Sequence, residues 1–503
     1  MKTYYDFMSE ITSDELYARM VEYGMFSEKL PPVFSAKSFL KYCKTKRTQA
    51  FSDVGYGYIT YENIRNINIP RNIGIPTPMG HELLCKSLSD NWDAIKEHFK
   101  KCTDGQPRII SRIHIRKMSR TAALFEMNYK NWRIDGTPEP DIYMGKKYLV
   151  HADISKCYPS IYTHAIPWAL AGKIEAKINM HDERFWYNQI DHAVQYSKNK
   201  ETHGILIGPH TSNVLSEIIL CAIDKKLSSK YQCYIRNIDD YLCYTETKEE
   251  AERFLVDLNR ELREFDLLMN HKKTEISELP IAVVDSWIHK IQNRTSLFQK
   301  HKEYVDYKEI QAYIDYTVKL VSENNDNQSI LFYAIKSLKD FTLTLNAQKY
   351  LVKSVVSLAL LYPYLIPILK EYIFEPFGAT DLEMSEYANL IYNRYIDSNN
   401  YEACSYAILY AIDADGELKE FDIDKIIESR DCILLMMAYI YCKNRKWRGG
   451  VEKLKKYAKK IIIDNEMDQN WLFVYEILGH GSLKDDWAPM KKAKVSFLKD
   501  AYR

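Results

Sequence analysis

At 503 residues the chain exceeds the size of one ordinary core, so two or more domains are expected. A hydrophobic content of 46% with 27% charged residues excludes a disordered chain, and no apolar run is long enough to span a bilayer. A net charge of +1 excludes a protein that coats nucleic acid by bulk attraction and leaves room only for local basic surface. The opening MKTYYDFMSEITSDELY is acidic and polar where a signal peptide needs a basic start and an apolar stretch. None of the ten cysteines forms a Cys-x-x-Cys pair. Both features point to reduced thiols in a cytoplasmic protein.

Tyrosine is abundant, with 39 in the chain, and Tyr4, Tyr5, Tyr17 and Tyr23 fall in the N-terminal region. Most tyrosines must be packing residues, half in the core and half in water. Between Lys96 and Arg133 the sequence is rich in Lys and Arg, which suits a basic groove or a solvated face. YLVHADI (148–154) and QCYIRNIDDYLCYTET (232–247) read as strands, the second as a hairpin with an acidic turn. Residues 211–229 and 249–268 carry apolar residues at helical spacing. Near residue 290 the strand signals fade. SILFYAIKSLKDFTLTL, QKYLVKSVVSLALLYPYLIPILKEYIF and the segments after them predict helices joined by short polar connections. The fold class is therefore α+β: a mixed domain over 1–290, followed over 291–503 by an all-α region of stacked, HEAT-like helical repeats.

The chemistry begins with Asp239 and Asp240. An exposed turn often holds such a dipeptide, but this one is flanked by strand-forming residues that bring it to the edge of a packed sheet. Adjacent carboxylates repel and resist desolvation there, and a divalent cation would offset both. Asp153 ends the other strand. An acid at that position could cap a helix, or it could join the pair through strand pairing as a third metal ligand. Two Mg²⁺ ions held by a few carboxylates, with substrate phosphate oxygens completing the shell, are what phosphoryl transfer needs.

In order and spacing, four segments resemble the palm motifs of reverse transcriptases. VHADISKCYPSIY resembles the first, GILIGPHTSNVLSE the second, RNIDDYLCY the third and LLMNHKKTEI the fourth, with IPRNIGIPTPMGHELL resembling the fingers segment upstream. The resemblance implies a fingers–palm domain with Asp153, Asp239 and Asp240 as catalytic metal ligands for two Mg²⁺ ions, or Mn²⁺ in their place. It implies Tyr158 as a gate against the ribose 2′-hydroxyl and Gly208 at the turn of the second motif, with Ser212 starting the helix. Lys273 would lie beside the incoming triphosphate, with proton donation to pyrophosphate as its role.

The wording YPSIYTHAIPWAL and IGPHTSNVLSEIIL is similar to the AbiK-like abortive-infection reverse transcriptases of bacteria and their prophage-encoded relatives. Members of that group are phage-defence proteins with helical repeats in place of a thumb. The resemblance implies untemplated DNA synthesis from deoxynucleoside triphosphates and a single-stranded product attached to a protein tyrosine. It also implies a closed homo-oligomer, a trimer or hexamer. Tyr4, Tyr5, Tyr17 and Tyr23 are the priming candidates, and Lys117, Arg112 and Arg120 are candidates for the triphosphate. Two residues depart from the general pattern. Ile207 stands where template-copying members carry a glutamine, and Asn237 replaces an aromatic residue that packs beneath the primer end. A template-copying enzyme of retron or intron type, and a non-catalytic helical-repeat binding assembly, are the alternatives. The stretch CKNRKWRGGVEKLKKYAKK (442–460) offers charge and aromatic surface for a single strand.

Overall fold

The computed structural model describes residues 3–503 other than 46–49, 53, 66–68, 107, 113–114, 118–138, 283 and 302–303. Two short helices open the chain, α1 (Tyr4–Ser9) and α2 (Ser13–Tyr23), each started by a capping box, Thr3 with Asp6 and Thr12 with Glu15. Strands β1 (Tyr58–Ile64) and β2 (Pro70–Pro76) pair antiparallel. Helix α3 (Pro78–Asp90) follows with proline in its first turn, where a missing N–H costs nothing. Helix α4 (Trp92–Thr103) packs beside it.

The second sheet holds the motifs. It is built from β3 (Tyr148–Asp153), β4 (Tyr234–Asn237), β5 (Asp240–Thr245) and β6 (Glu275–Glu278), in the order β4-β5-β3-β6 with antiparallel neighbours. Two helices support it: α5 (His210–Ser228), buried along most of its length and tied to β4, and α6 (Lys248–Glu264), packed on β3 and β5. The period-2 rule explains the faces: Val150 and Ala152 on β3, and Tyr241 and Cys243 on β5, point into the core.

No strand follows β6 among the described residues. Helix α7 (Ser286–His301) runs across the expected boundary at 290/291. Two predicted helices need correction. The first stops at Lys336, and in the Thr-Leu-Thr stretch beyond it Leu343 bridges Val305 in extended conformation. The second, 348–374, is broken: an α-helix to Ala359, a 3₁₀ segment Pro363–Ile368 and a π-turn Lys370–Phe374, because Pro363 and Pro367 cannot continue the ladder.

Farther on come α8 (Asp381–Tyr395), α9 (Tyr401–Asp413), α10 (Cys432–Asn444), α11 (Arg448–Ile463) and α12 (Met467–Ile477). Helices α9, α10 and α12 form an inner row that contacts β1, with α8 against α9 and α11 against α10 and α12. This row joins the N-terminal half in one continuous apolar core. Fully buried Trp471 donates from Nε1 to the Ile75 carbonyl at 3.4 Å. The tail closes on the N-terminal region through Ser35 N–H to Phe497 O and Lys499 N–H to Val33 O, both 2.8 Å. All ten cysteines are free thiols. Among the described residues no helix is long and apolar enough to cross a membrane.

Candidate active site

Strand register brings the acids together. Asp153, the last residue of β3, is the cross-strand partner of Asp240, the first of β5, and Asp239 occupies the turn between β4 and β5. The Ile154 N–H donates to Asp239 O at 3.2 Å, which fixes the turn against the end of β3. In that turn Ile238 takes φ +60°, a left-handed conformation that a β-branched residue adopts only at a cost.

A buried ionic group lies beneath it. Arg236 is fully buried, and its guanidinium bonds Glu217 (3.0 and 3.2 Å) and Asp224 (2.6 and 2.8 Å), two turns apart on α5. The same guanidinium donates from Nη1 to Ile238 O at 2.9 Å and so braces the strained turn. Burial pushes Glu217 upward, but Arg236 and hydrogen bonds from Ser111 and Cys221 outweigh it and leave the carboxyl below its usual range. Asp224 has one oxygen without a hydrogen-bond partner among the described residues; burial wins there over Arg236 and raises it to about 6.

Asp239 is raised to about 6, first by burial and then by the charge of Asp240. Asp153, 5% exposed, accepts from Asn270 Nδ2 at 2.9 Å and from Lys273 Nζ at 2.8 Å. The hydrogen bond to Asp153 raises Lys273 above its ordinary value, so it is an ammonium ion at neutral pH. His151 lies two residues before Asp153 on the same strand face, with Nε2 3.5 Å from Asp240 Oδ1, and that contact raises its pKa.

The donor set is hard carboxylate oxygen, the kind Mg²⁺ favours, and the repulsion that raises Asp239 is what a cation would relieve. As arranged, no three His, Cys, Asp or Glu side chains among the described residues close around one point. Both Asp153 oxygens are instead bonded, one to Asn270 Nδ2 and one to the Lys273 ammonium ion.

The remaining predicted residues divide. Tyr158 donates its hydroxyl to Asn213 Oδ1 on α5 at 2.9 Å. Gly208 has φ +126°, and a Cβ there would meet Ile73 Cγ2 at 2.8 Å, so the turn demands glycine and docks on β2. The helix after it begins at His210, two residues earlier than expected. Arg112 follows an edge pairing in which its N–H donates to Arg236 O at 2.7 Å. Lys117 pairs with Glu15 on α2 at 2.8 Å. Arg120 and the side chain of Tyr4 lie outside the described residues. Tyr5 sits beneath Lys100, Tyr17 donates to Glu82 at 2.8 Å, and Tyr23 is 42% exposed. No contact brings these tyrosines to the aspartates among the described residues.

Sequence reasoning missed Arg236, Glu217, Asp224, His151 and Asn270. A signal existed for the first three: two acids seven apart on a helix rich in apolar residues, with an arginine in the strand that follows. His151 was legible from strand alternation, two before Asp153.

A sequence-family model described as reverse transcriptase (RNA-dependent DNA polymerase) matches residues 94–284. No curated protein matches the chain. The solved structures that align with it include two of apo telomerase from Candida tropicalis. The one truncated from its C-terminal domain shows 14% identity over 48% of this chain and 54% of that one, with a TM-score of 0.30. The other shows 12% identity over 91% and 76%, with a TM-score of 0.32. This chain thus spans about half of the first, and neither likeness is close enough to carry an argument. The matched segment contains β3 to β6 and every aspartate of the acidic cluster. Residues 94–284 therefore hold a reverse-transcriptase domain.

Proposed function

We propose that this polymerase is a phage-defence enzyme of the abortive-infection, AbiK-like kind, which adds deoxynucleotides without a template to a tyrosine of the protein itself. The observation that carries the catalytic part is the pairing of Asp153 with Asp240, beside Asp239 and under Lys273. Asp153, Asp239 and Asp240 would hold two Mg²⁺ ions, or Mn²⁺, which supply activation of the attacking hydroxyl and neutralisation of the leaving pyrophosphate. The hydroxyl oxygen forms a bond to the α-phosphorus, the α–β anhydride bond breaks, pyrophosphate leaves and the hydroxyl proton passes to solvent. Lys273 is a fixed cation that can meet the triphosphate, and Arg112, Arg120 and Lys117 are further candidates for its oxygens. The Tyr158 ring, held by Asn213, stands as the gate against a 2′-hydroxyl.

The untemplated part rests on Ile207 and Asn237. An aliphatic side chain offers no amide to a template, and Asn237, cross-strand partner of Asp240, offers no aromatic face to a primer end. The row of α9, α10 and α12 with α8 and α11 outside it favours the HEAT-like reading of the helical half, and the same family reading includes a homo-oligomer of three or six subunits.

The test is incubation of purified protein with labelled deoxynucleotides and Mg²⁺, without nucleic acid, followed by a denaturing gel. Nuclease-sensitive label on the protein band is the expected result, absent in Asp239→Ala. Label that appears only with added template and primer would replace this reading by the template-copying one. Equal labelling of Asp239→Ala and wild type would overturn the site.

A further inference from the structure

A second charged site lies where the tail meets the N-terminal region. The helix Lys37–Thr45 and residues 493–503 line a half-open cavity of about 480 Å³. Its lining carries Lys37, Lys41, Lys494, Lys499 and Arg503 against one acid, Asp500, and that acid is paired with Arg503 at 2.8 Å. The four lysines are exposed and have no ion pair among the described residues. The whole chain is balanced, 69 basic residues against 68 acidic, so five cations around one cavity depart from its average. Like charges held this close repel, and an anion spanning the cavity would relieve that repulsion.

The cavity is built, not a chance of loose side chains. Phe34 and Leu498 bridge as extended backbone, and the Ser38 hydroxyl donates to Ser496 O at 2.5 Å. Behind the wall, Phe26 stacks on Phe34 at 5.5 Å and contacts Phe497 at 6.3 Å. Ser27, next in sequence, lies under Gly208, 3.5 Å from where a Cβ would stand. The basic cavity is therefore one aromatic layer from the turn of the second polymerase motif. Tyr42, buried at the base of the cavity, closes its floor.

We propose that this cavity binds the phosphate backbone of single-stranded DNA, the product strand of the polymerase; the choice of ligand rests on the function proposed above. Binding of a labelled oligothymidylate to the full chain would be measured by fluorescence anisotropy over a salt series, for wild type and for the triple variant Lys37→Gln, Lys41→Gln, Lys499→Gln. A control variant removes the same charge from exposed lysines to which no strand contact is assigned: Lys308→Gln, Lys349→Gln, Lys353→Gln. The pocket variant should bind roughly tenfold more weakly at low salt, and its slope of log affinity against log salt should be shallower by about 2, from three contacts at about 0.7 each. The control should keep the wild-type values. Equal losses in both variants would mean bulk attraction and overturn the proposal, as would no loss in the pocket variant. Competition with a free deoxynucleoside triphosphate separates the two sources of phosphate: displacement at micromolar concentration would make the cavity a nucleotide site and overturn the strand reading. Asp239→Ala should bind the oligonucleotide like wild type. A wild-type chain that binds the strand but incorporates no nucleotide would sink the catalytic reading and leave this site standing.

Discussion

Under the turn that holds Asp239 a buried arginine is ringed by two carboxylates; at the junction between β1 and the helical half a buried glutamate is ringed by neutral donors. Arg236 bonds Glu217 and Asp224. Glu402, 2% exposed at the start of α9, accepts from Tyr61 Oη at 3.1 Å, Asn63 Nδ2 at 2.7 Å and the Ile64 N–H at 2.7 Å. The first group keeps its arginine charged at any ordinary pH, because both acids lift it further above its usual value against the pull of burial. The second has no cation among its bonded partners, and burial raises Glu402 to about 7. The turn is thus braced by opposite charges around an arginine that stays ionised, although Asp224 itself is raised to about 6. The junction is closed by a group that changes charge near neutrality. The cation holds the first group in place, and the second depends on a proton that it loses near neutrality.

Arg236→Met makes the largest break. It leaves Glu217 and Asp224 buried without their cation, which costs about 3–5 kcal/mol, and it frees the Ile238 carbonyl. A lowered urea midpoint together with lost incorporation is the expected outcome. Replacing the whole group, Arg236→Met with Glu217→Leu and Asp224→Leu, should recover most of the stability. If activity returns with it, the brace serves stability alone; activity that stays low shows that the bond to Ile238 positions the turn.

The junction gives the next effect. The folded state holds a proton on Glu402 that the unfolded chain releases near 4.5. Its contribution is therefore complete below that value and is lost as pH rises toward about 7, an amount on the order of 3 kcal/mol. Urea midpoints should fall between pH 5 and 7.5, and Glu402→Gln should flatten part of that slope. Asp224, Asp239 and Asp431 shift in the same direction and keep the rest of it. An unchanged slope in Glu402→Gln would mean that the glutamate is ionised throughout and that the three donors outweigh burial.

The two regions also differ in how far the sequence discloses them. The acidic cluster was legible because its parts are local: a strand that ends in Asp153, and a hairpin whose turn holds Asp239. Antiparallel pairing then leaves little freedom in where they meet. The α+β class and the loss of strands after the palm were legible from periodicity. The breaks at Pro363 and Pro367 were visible as residues but were overridden by the apolar pattern around them. Glu402 was out of reach, since its partners lie more than 330 positions earlier in the chain and nothing local marks them. The same holds for Lys117, whose partner Glu15 belongs to the opening helices.

The smallest effect sets ionic against neutral bracing within a single helix. Asn213 lies one turn before Glu217 on α5, and it accepts the Tyr158 hydroxyl in a neutral bond where Glu217 takes a charged one. Tyr158→Phe keeps the ring and removes that bond, at a cost of about 1 kcal/mol from an unpaired Asn213 oxygen. Because the ring remains, discrimination between deoxy- and ribonucleotides in the incorporation assay should stay as in wild type, while Tyr158→Ala should admit ribonucleotides. A Tyr158→Phe destabilisation as large as that of Arg236→Met would mean that the ionic character of the brace is incidental, and that any bond broken between α5 and the palm loosens the site equally. A loss of discrimination in Tyr158→Phe would point instead to the hydroxyl, held by Asn213, as the part of the gate that fixes where the ring stands.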